Sequence, residues 1–273
     1  IYGKGRHGIM LIGLMTAAAN LVVGVFVGLC GVAGFLLPMF YTTVLEMRVS
    51  QGLALSFSAF IVSGILGSWN FKKAGNLDAG FGFRLSIGSL AGAVLGVYLN
   101  RIIPEEGVKV LLYLVVLLSG ISILCRKDKK AGGQGKDSAV NAKGASEKVR
   151  YFSINNNLPL TLILGFVTGA ICSLSGAGGP VLVMPLLVLL GIPVHTAVGV
   201  ALFNSIFIGI PAAAGYLLQC DFLDILPILA VALIGHGVGV FYGSKNAARI
   251  NQGLLKKGIA VFSIGIAVWK LVF

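Results

Sequence analysis

The sequence predicts an all-α integral membrane protein built from two homologous halves. Each half holds four to five hydrophobic helical segments, one of them a short helix broken by glycine. Three observations carry this. Composition comes first: of 273 residues 57% are hydrophobic and 11% charged, and the mean hydropathy is +0.96. A soluble domain has no use for that much apolar sequence. The second is uninterrupted apolar length. Neither 8–45 nor 151–220 contains an Asp, Glu, Lys or Arg, and about 20 apolar residues suffice to cross a bilayer. The third is a glycine-proline break that occurs twice. Sliding the chain by 147 positions lays Gly31 on Gly178, Pro38 on Pro185, Gly52 on Gly199 and Ser58 on Ser205.

Hydrophobic segments follow in order at roughly 8–30, 33–46, 50–71, 79–100 and 107–125. The stretch 126–150 is rich in Lys, Gly, Ala and Ser and has no aromatic residue, Leu or Ile. It cannot bury a core and reads as a flexible basic linker. A second set runs at roughly 157–174, 178–191, 195–218, 223–244 and 254–272. The expected organisation is therefore a first transmembrane repeat over 1–125, the linker over 126–150 and a second repeat over 151–273. The second segment of each half is too short to cross alone at about 1.5 Å per residue. It pairs with the segment before it, and the glycines between them form the turn. The apolar run after His7 also exceeds the h-region of a signal peptide.

Loop charges set the orientation. The linker carries Arg126, Lys127, Lys129, Lys130, Lys136, Lys143, Lys148 and Arg150 against three acids, which places it in the cytoplasm. The Lys72–Lys73 loop then lies inside and the Glu105–Glu106 loop outside. If each glycine break turns the chain back, Asp221 and Asp224 fall outside, and Lys245, Arg249, Lys256 and Lys257 inside. The halves are then inverted, at the cost of an external N-terminus with Lys4 and Arg6. Eight spans with parallel halves rescue that terminus but leave the later basic cluster outside, so inverted repeats are the favoured reading.

Gly176, Gly178, Gly179 and Pro185 form a Gly-x-Gly-Gly-x-x-x-x-x-Pro pattern. An apolar run, Ile192–Pro193 and Ala197–Val198–Gly199 follow it. This resembles the sulfite exporter TauE/SafE family of membrane transporters. The resemblance spans nearly the whole chain, although Val32, Ala33 and Phe35 interrupt the glycine run of the first half. It implies a multi-pass protein of the inner membrane that moves a small anion, such as sulfite, a sulfonate or a related sulfur oxyanion. It does not choose among them.

The residues themselves restrict how an anion could be held. No Lys or Arg lies near the middle of a segment, and Arg84 and Lys109 can snorkel to the ends. Donors must be backbone N–H groups and neutral side chains. A glycine break before a short helix offers free N–H groups and the positive end of the helix dipole. Glycine also lets the backbone approach a ligand. The candidate substrate-binding residues are thus Gly31 and Gly34 in the first half, and Ser175, Gly176, Gly178 and Gly179 in the second. The plainer alternative is close helix packing. Side chains add Asn204, Ser205 and the repeat counterpart Ser58; Asn20 in the first segment, Gln51 at the start of the third and Ser173 just before the second glycine run complete the polar candidates. Gly88, Gly92 and Gly96, at spacing four, read as a close helix crossing. His236 is the one ionisable side chain near the middle of a span, which makes it a candidate for proton coupling. No carboxylate accompanies it at depth, so a structural role is slightly preferred.

Other classes fit less well. The +12 charge sits at segment ends and in one loop, without the aromatic interleaving of a nucleic-acid surface. The four cysteines have no metal spacing. The chain shows no nucleophile–base pair and no nucleotide loop, so neither an enzyme nor a cofactor is expected. The expected partners are the bilayer and a small anionic substrate, with a homodimer open. A passive anion channel, or a transporter of an unrelated small solute, is the alternative.

Overall fold

The structure, a computed structural model, describes residues 6–31, 33–124 and 157–247, and isolated positions at 261, 264, 265 and 268. The described residues fold entirely into helices and turns. In chain order they are α1 Arg6–Cys30, a short broken segment, α3 Val49–Lys73, α4 Ala79–Ile102, α5 Glu105–Leu124, α6 Leu158–Ser175, α7 Gly179–Leu189, α8 Val194–Leu217 and α9 Phe222–Asn246. Within the broken segment, α2 is Leu36–Met39, a single turn between a 3-10 turn Ala33–Phe35 and a π-helical turn Phe40–Val44. The expected linker lies outside the described residues, as does most of the last hydrophobic segment.

Six of these helices are long and apolar enough to cross a membrane. In hydrocarbon, backbone groups must be satisfied within the segment, so apolar length translates directly into helix. Polar caps mark the ends: Asp78 accepts from the Phe81 amide and Asn157 from the Leu160 amide. Under the 147-residue shift, α1, the broken segment, α3 and α4 correspond in order to α6, α7, α8 and α9.

The halves are interlaced rather than side by side. α1 packs along α9 of the other half, and α4 along α6. Both contacts are lined by glycine at spacing four. Gly88, Gly92 and Gly96 of α4 abut the backbones of Leu162, Phe166 and Ala170, and Gly165 and Gly169 return the contact on Leu85 and Ser89. The shift carries Gly88, Gly92 and Gly96 onto Gly235, Gly239 and Gly243, which abut Ala17, Leu21 and Val25 of α1. Helices in lipid gain little from apolar burial against one another, so association depends on such close approach. This matches the structural reading of Gly88, Gly92 and Gly96.

Residue numbers rise together along both contacts, so each pair is parallel. The central pair differs. Gly64 and Gly67 of α3 meet Ile206 and Leu202 of α8, while Ile61 meets Gly209; numbers fall as they rise, and α3 and α8 are antiparallel. α3 also runs parallel to α9, with Val62 at Gly237 and Asn70 donating to Ser244 at 2.7 Å. α4 runs parallel to α8, with Gly82 at Phe203 and Val97 at Gly215. It follows that α1 and α3 point the same way, as do α6 and α8. The short segment of each half must carry the chain back.

Candidate functional site

Each break begins with a backbone turn that favours glycine. α1 ends at Cys30, and Gly31 adopts φ +74°. α6 ends at Ser175. Gly176 caps it in the left-handed region at φ +75°, and Gly178 stands at φ +77°, ψ 150°. The latter conformation is open essentially to glycine alone. Gly31 and Gly178 are repeat counterparts and share this sign of φ, so the sequence correspondence extends to the backbone.

The fold brings the two breaks together. A β-carbon placed on Gly31 would lie 3.5 Å from Pro180, and one on Gly34 would lie 3.8 Å from the Ala177 carbonyl. One on Gly176 would meet Leu53 of α3 and lie 3.4 Å from Pro38. Phe60, in the middle of α3, is wedged between them. Its ring is 3.0 Å from the β-position of Gly34 and 2.9 Å from that of Gly178. Ser205, in the middle of α8, stands 2.8 Å from the β-position of Gly179. The glycines are therefore close-packed in this arrangement, as the packing alternative requires. A ligand at Gly178 or Gly179 needs Phe60 or a neighbour to move. Sequence reasoning missed Phe60, because a phenylalanine in an apolar helix carries no signal of its own.

The two short segments are not equivalent. α7 is a continuous helix of 11 residues, with Gly178 as N-cap and Pro180 in the first turn. Gly179 opens it and has no helical carbonyl before it to take its N–H. The first-half segment, expected as a short helix from about Gly34, divides into 3-10, α and π turns. Pro38 has no N–H for the Gly34 carbonyl, yet its counterpart Pro185 sits inside the continuous α7, so the proline alone does not set the difference. Thr42 hydroxyl donates to the Pro38 carbonyl at 2.8 Å. A helix-end donor set is consequently a property of the second half.

The side-chain candidates divide. Ser175 donates to the Ile171 carbonyl at 2.7 Å and accepts from the Ala177 amide at 3.3 Å, bracing the second break. Ser205 is buried and donates to Ala201 at 2.9 Å; half-buried Ser58 does the same to Ala54 at 2.8 Å. Asn204 is fully buried, and neither its carboxamide oxygen nor its nitrogen has a partner. By helical spacing it shares the face of Ala201 and Ile208, and Ile208 is 3.3 Å from the β-position of Gly179. Ser173 is a structural tie from α6 to α4, donating to the Ala93 carbonyl at 3.0 Å. Gln51 accepts from the Arg48 amide at the start of α3.

His236 lies apart from the breaks, on the α9–α1 crossing, with its backbone against Gly24. The ring is fully buried and neither nitrogen completes a hydrogen bond, although the Asn20 backbone faces it. Asn20 donates to Thr16 carbonyl at 2.9 Å and to Tyr41 hydroxyl at 2.7 Å, leaving its own carbonyl oxygen and the Thr16 hydroxyl unpartnered. Among the described residues, no group of His, Cys, Asp and Glu could hold a metal.

Comparison with known proteins agrees with the residue pattern. A family model described as Sulfite exporter TauE/SafE matches residues 13–269. A probable membrane transporter protein of Haemophilus influenzae is 24% identical over 276 residues, covering 93% of this chain and 96% of its own. The probable membrane transporter protein YunE of Bacillus subtilis is 21% identical over 261 residues, covering 93% and 91%. No solved structure matches the chain.

Proposed function

Because the chain belongs to the sulfite exporter TauE/SafE family of multi-pass membrane transporters, we propose that it is a secondary transporter for a small sulfur oxyanion. The substrate class is sulfite, a sulfonate or a relative, carried across the inner membrane. The observation that carries the reading is the meeting of the two glycine breaks beside Phe60 and Ser205, deep between the halves, with buried Asn204 next to Ser205 in α8. The α7 N-terminus supplies N–H donors with the favourable dipole end. Asn204 adds neutral donors that are unused, and Ser205 adds one by turning its hydroxyl away from the Ala201 carbonyl. Such a site holds an anion without burying a fixed cation, whose desolvation in lipid is costly. Ser175 shapes the turn that presents Gly176, Gly178 and Gly179, while Gly31, Gly34 and Ser58 close the site from the first half. His236 carries the coupling proton in this scheme, as an ionisable side chain buried near the middle of a span.

The inverted relation of the halves has support in the helix directions. The counterparts α3 and α8 are antiparallel, and each short segment turns the chain back. Both features suit two repeats related by an axis in the membrane plane. The deciding experiment is uptake into proteoliposomes with sulfite, sulfate, thiosulfate, taurine and sulfoacetate. Saturable uptake of one sulfur anion, competed by its relatives, is expected. No uptake above protein-free liposomes for any of them removes the proposal.

A further inference from the structure

The repeat equates the two ends of the central α3–α8 pair, yet the structure treats them differently. Where α3 finishes and α8 begins, Gly199 packs on the Asn76 carbonyl and lies 3.2 Å, at its β-position, from Phe71. Phe71 is only 3% exposed. At the opposite end the counterpart of Gly199 is Gly52, which rests instead on Thr42 and Tyr41 at 3.1 and 3.2 Å. Leu218, the counterpart of Phe71, is 82% exposed. Beside Leu218 opens a cleft of about 220 Å³, lined also by Arg48, Ser50, Gln51, Gln219, Cys220 and Asp221. The lining offers a guanidinium, a hydroxyl and two carboxamides. The Cys220 thiol lies beside the Ser50 hydroxyl and feels the charges of both Asp221 and Arg48.

We propose that this cleft is the outer mouth of the transport path, where a small anion first docks on Arg48, and that the Gly199–Phe71–Asn76 contact is the same mouth closed at the inner end. The proposal rests on the transporter reading and on inverted halves. Inverted repeats give a second conformation when the halves exchange roles. In that state Leu218 seats on Gly52 and Phe71 lifts from Gly199. Asp221 keeps the docking weak, as a site on a path must release what it takes.

Cys220 is a built-in reporter. In proteoliposomes it is labelled from outside with a membrane-impermeant maleimide, with Cys220→Ser as the blank. Burial raises its thiol above the usual range, so labelling is slow at neutral pH and accelerates as the pH rises and the thiolate forms. Methanesulfonate serves as the unreactive probe anion. It should slow labelling. Arg48→Gln should raise the protecting concentration about tenfold or more, Arg48→Lys should recover part of it, and Asp221→Asn should lower it. Labelling indifferent to methanesulfonate, or equal protection in Arg48→Gln, overturns the proposal. Uptake of a sulfur anion without protection discards the mouth and leaves the transporter reading intact. Protection without uptake of any anion discards transport, and with it the mouth.

Discussion

Asn204→Leu separates a ligand site from a packing site, because the two roles move stability and uptake in opposite ways. Leucine keeps the branch at Cγ and removes the polar atoms. In the structure both of those atoms are buried without partners, and each such group costs about 1–3 kcal/mol of desolvation. Removing two returns roughly 2–6 kcal/mol. The bulkier methyls cost about 1–3 kcal/mol of overpacking in a full interior. The net change in stability then runs from a loss of about 1 kcal/mol to a gain of about 5 kcal/mol, so thermal unfolding in detergent should hold or rise. Uptake should do the reverse. A hydrogen bond to a charged ligand contributes about 1.5–3 kcal/mol, so its loss should cut kcat/KM roughly 10- to 150-fold. The assay is a paired one, unfolding temperature and proteoliposome uptake on the same preparation. A clear drop in unfolding temperature would refute the reasoning, since it would mean that the carboxamide is bonded. Unchanged uptake with unchanged stability would remove Asn204 from the site.

Gly178→Ala adds a β-carbon 2.9 Å from the Phe60 ring, in a glycine-only backbone. We expect about 1–3 kcal/mol of destabilisation and a loss of uptake larger than the loss of folded protein; uptake that follows folded protein alone would make the glycine purely structural. Gly92→Leu and its counterpart Gly239→Leu both drive a side chain into a neighbouring helix backbone and should each prevent stable folding, read as aggregation on size exclusion; a monodisperse, thermally unchanged variant would contradict the interlaced packing. His236→Gln should retain substrate binding and lose the response of uptake to an imposed pH gradient, and an unaltered response would exclude His236 from coupling. Cysteines introduced at Gly75 and Asn246 should label from the cytoplasmic side and one at Asp221 from outside. Labelling of 246 only from outside would rule out inverted halves.

Much of the fold was written in local sequence. The expected 50–71 and 223–244 segments are α3 Val49–Lys73 and α9 Phe222–Asn246, because in lipid a helix satisfies its own backbone and apolar length alone defines it. Both breaks were legible for the same reason: Gly31 and Gly178 take backbone angles that other residues resist. The linker at 126–150 is outside the described residues, so the domain boundaries rest on the sequence. The tertiary structure decided matters of partnership. Glycines at spacing four announce a close crossing, but nothing in Gly88, Gly92 and Gly96 names α6, or in Gly235, Gly239 and Gly243 names α1. Any small-residue stripe can accept any other, and only the assembled bundle chooses. The wedge of Phe60 between Gly34 and Gly178, the unpartnered carboxamide of Asn204, and the cleft joining Arg48 to Asp221 unite residues far apart in the chain. Helix formation is local and therefore readable along the sequence, whereas side-chain juxtaposition depends on which helices meet and in which direction they run.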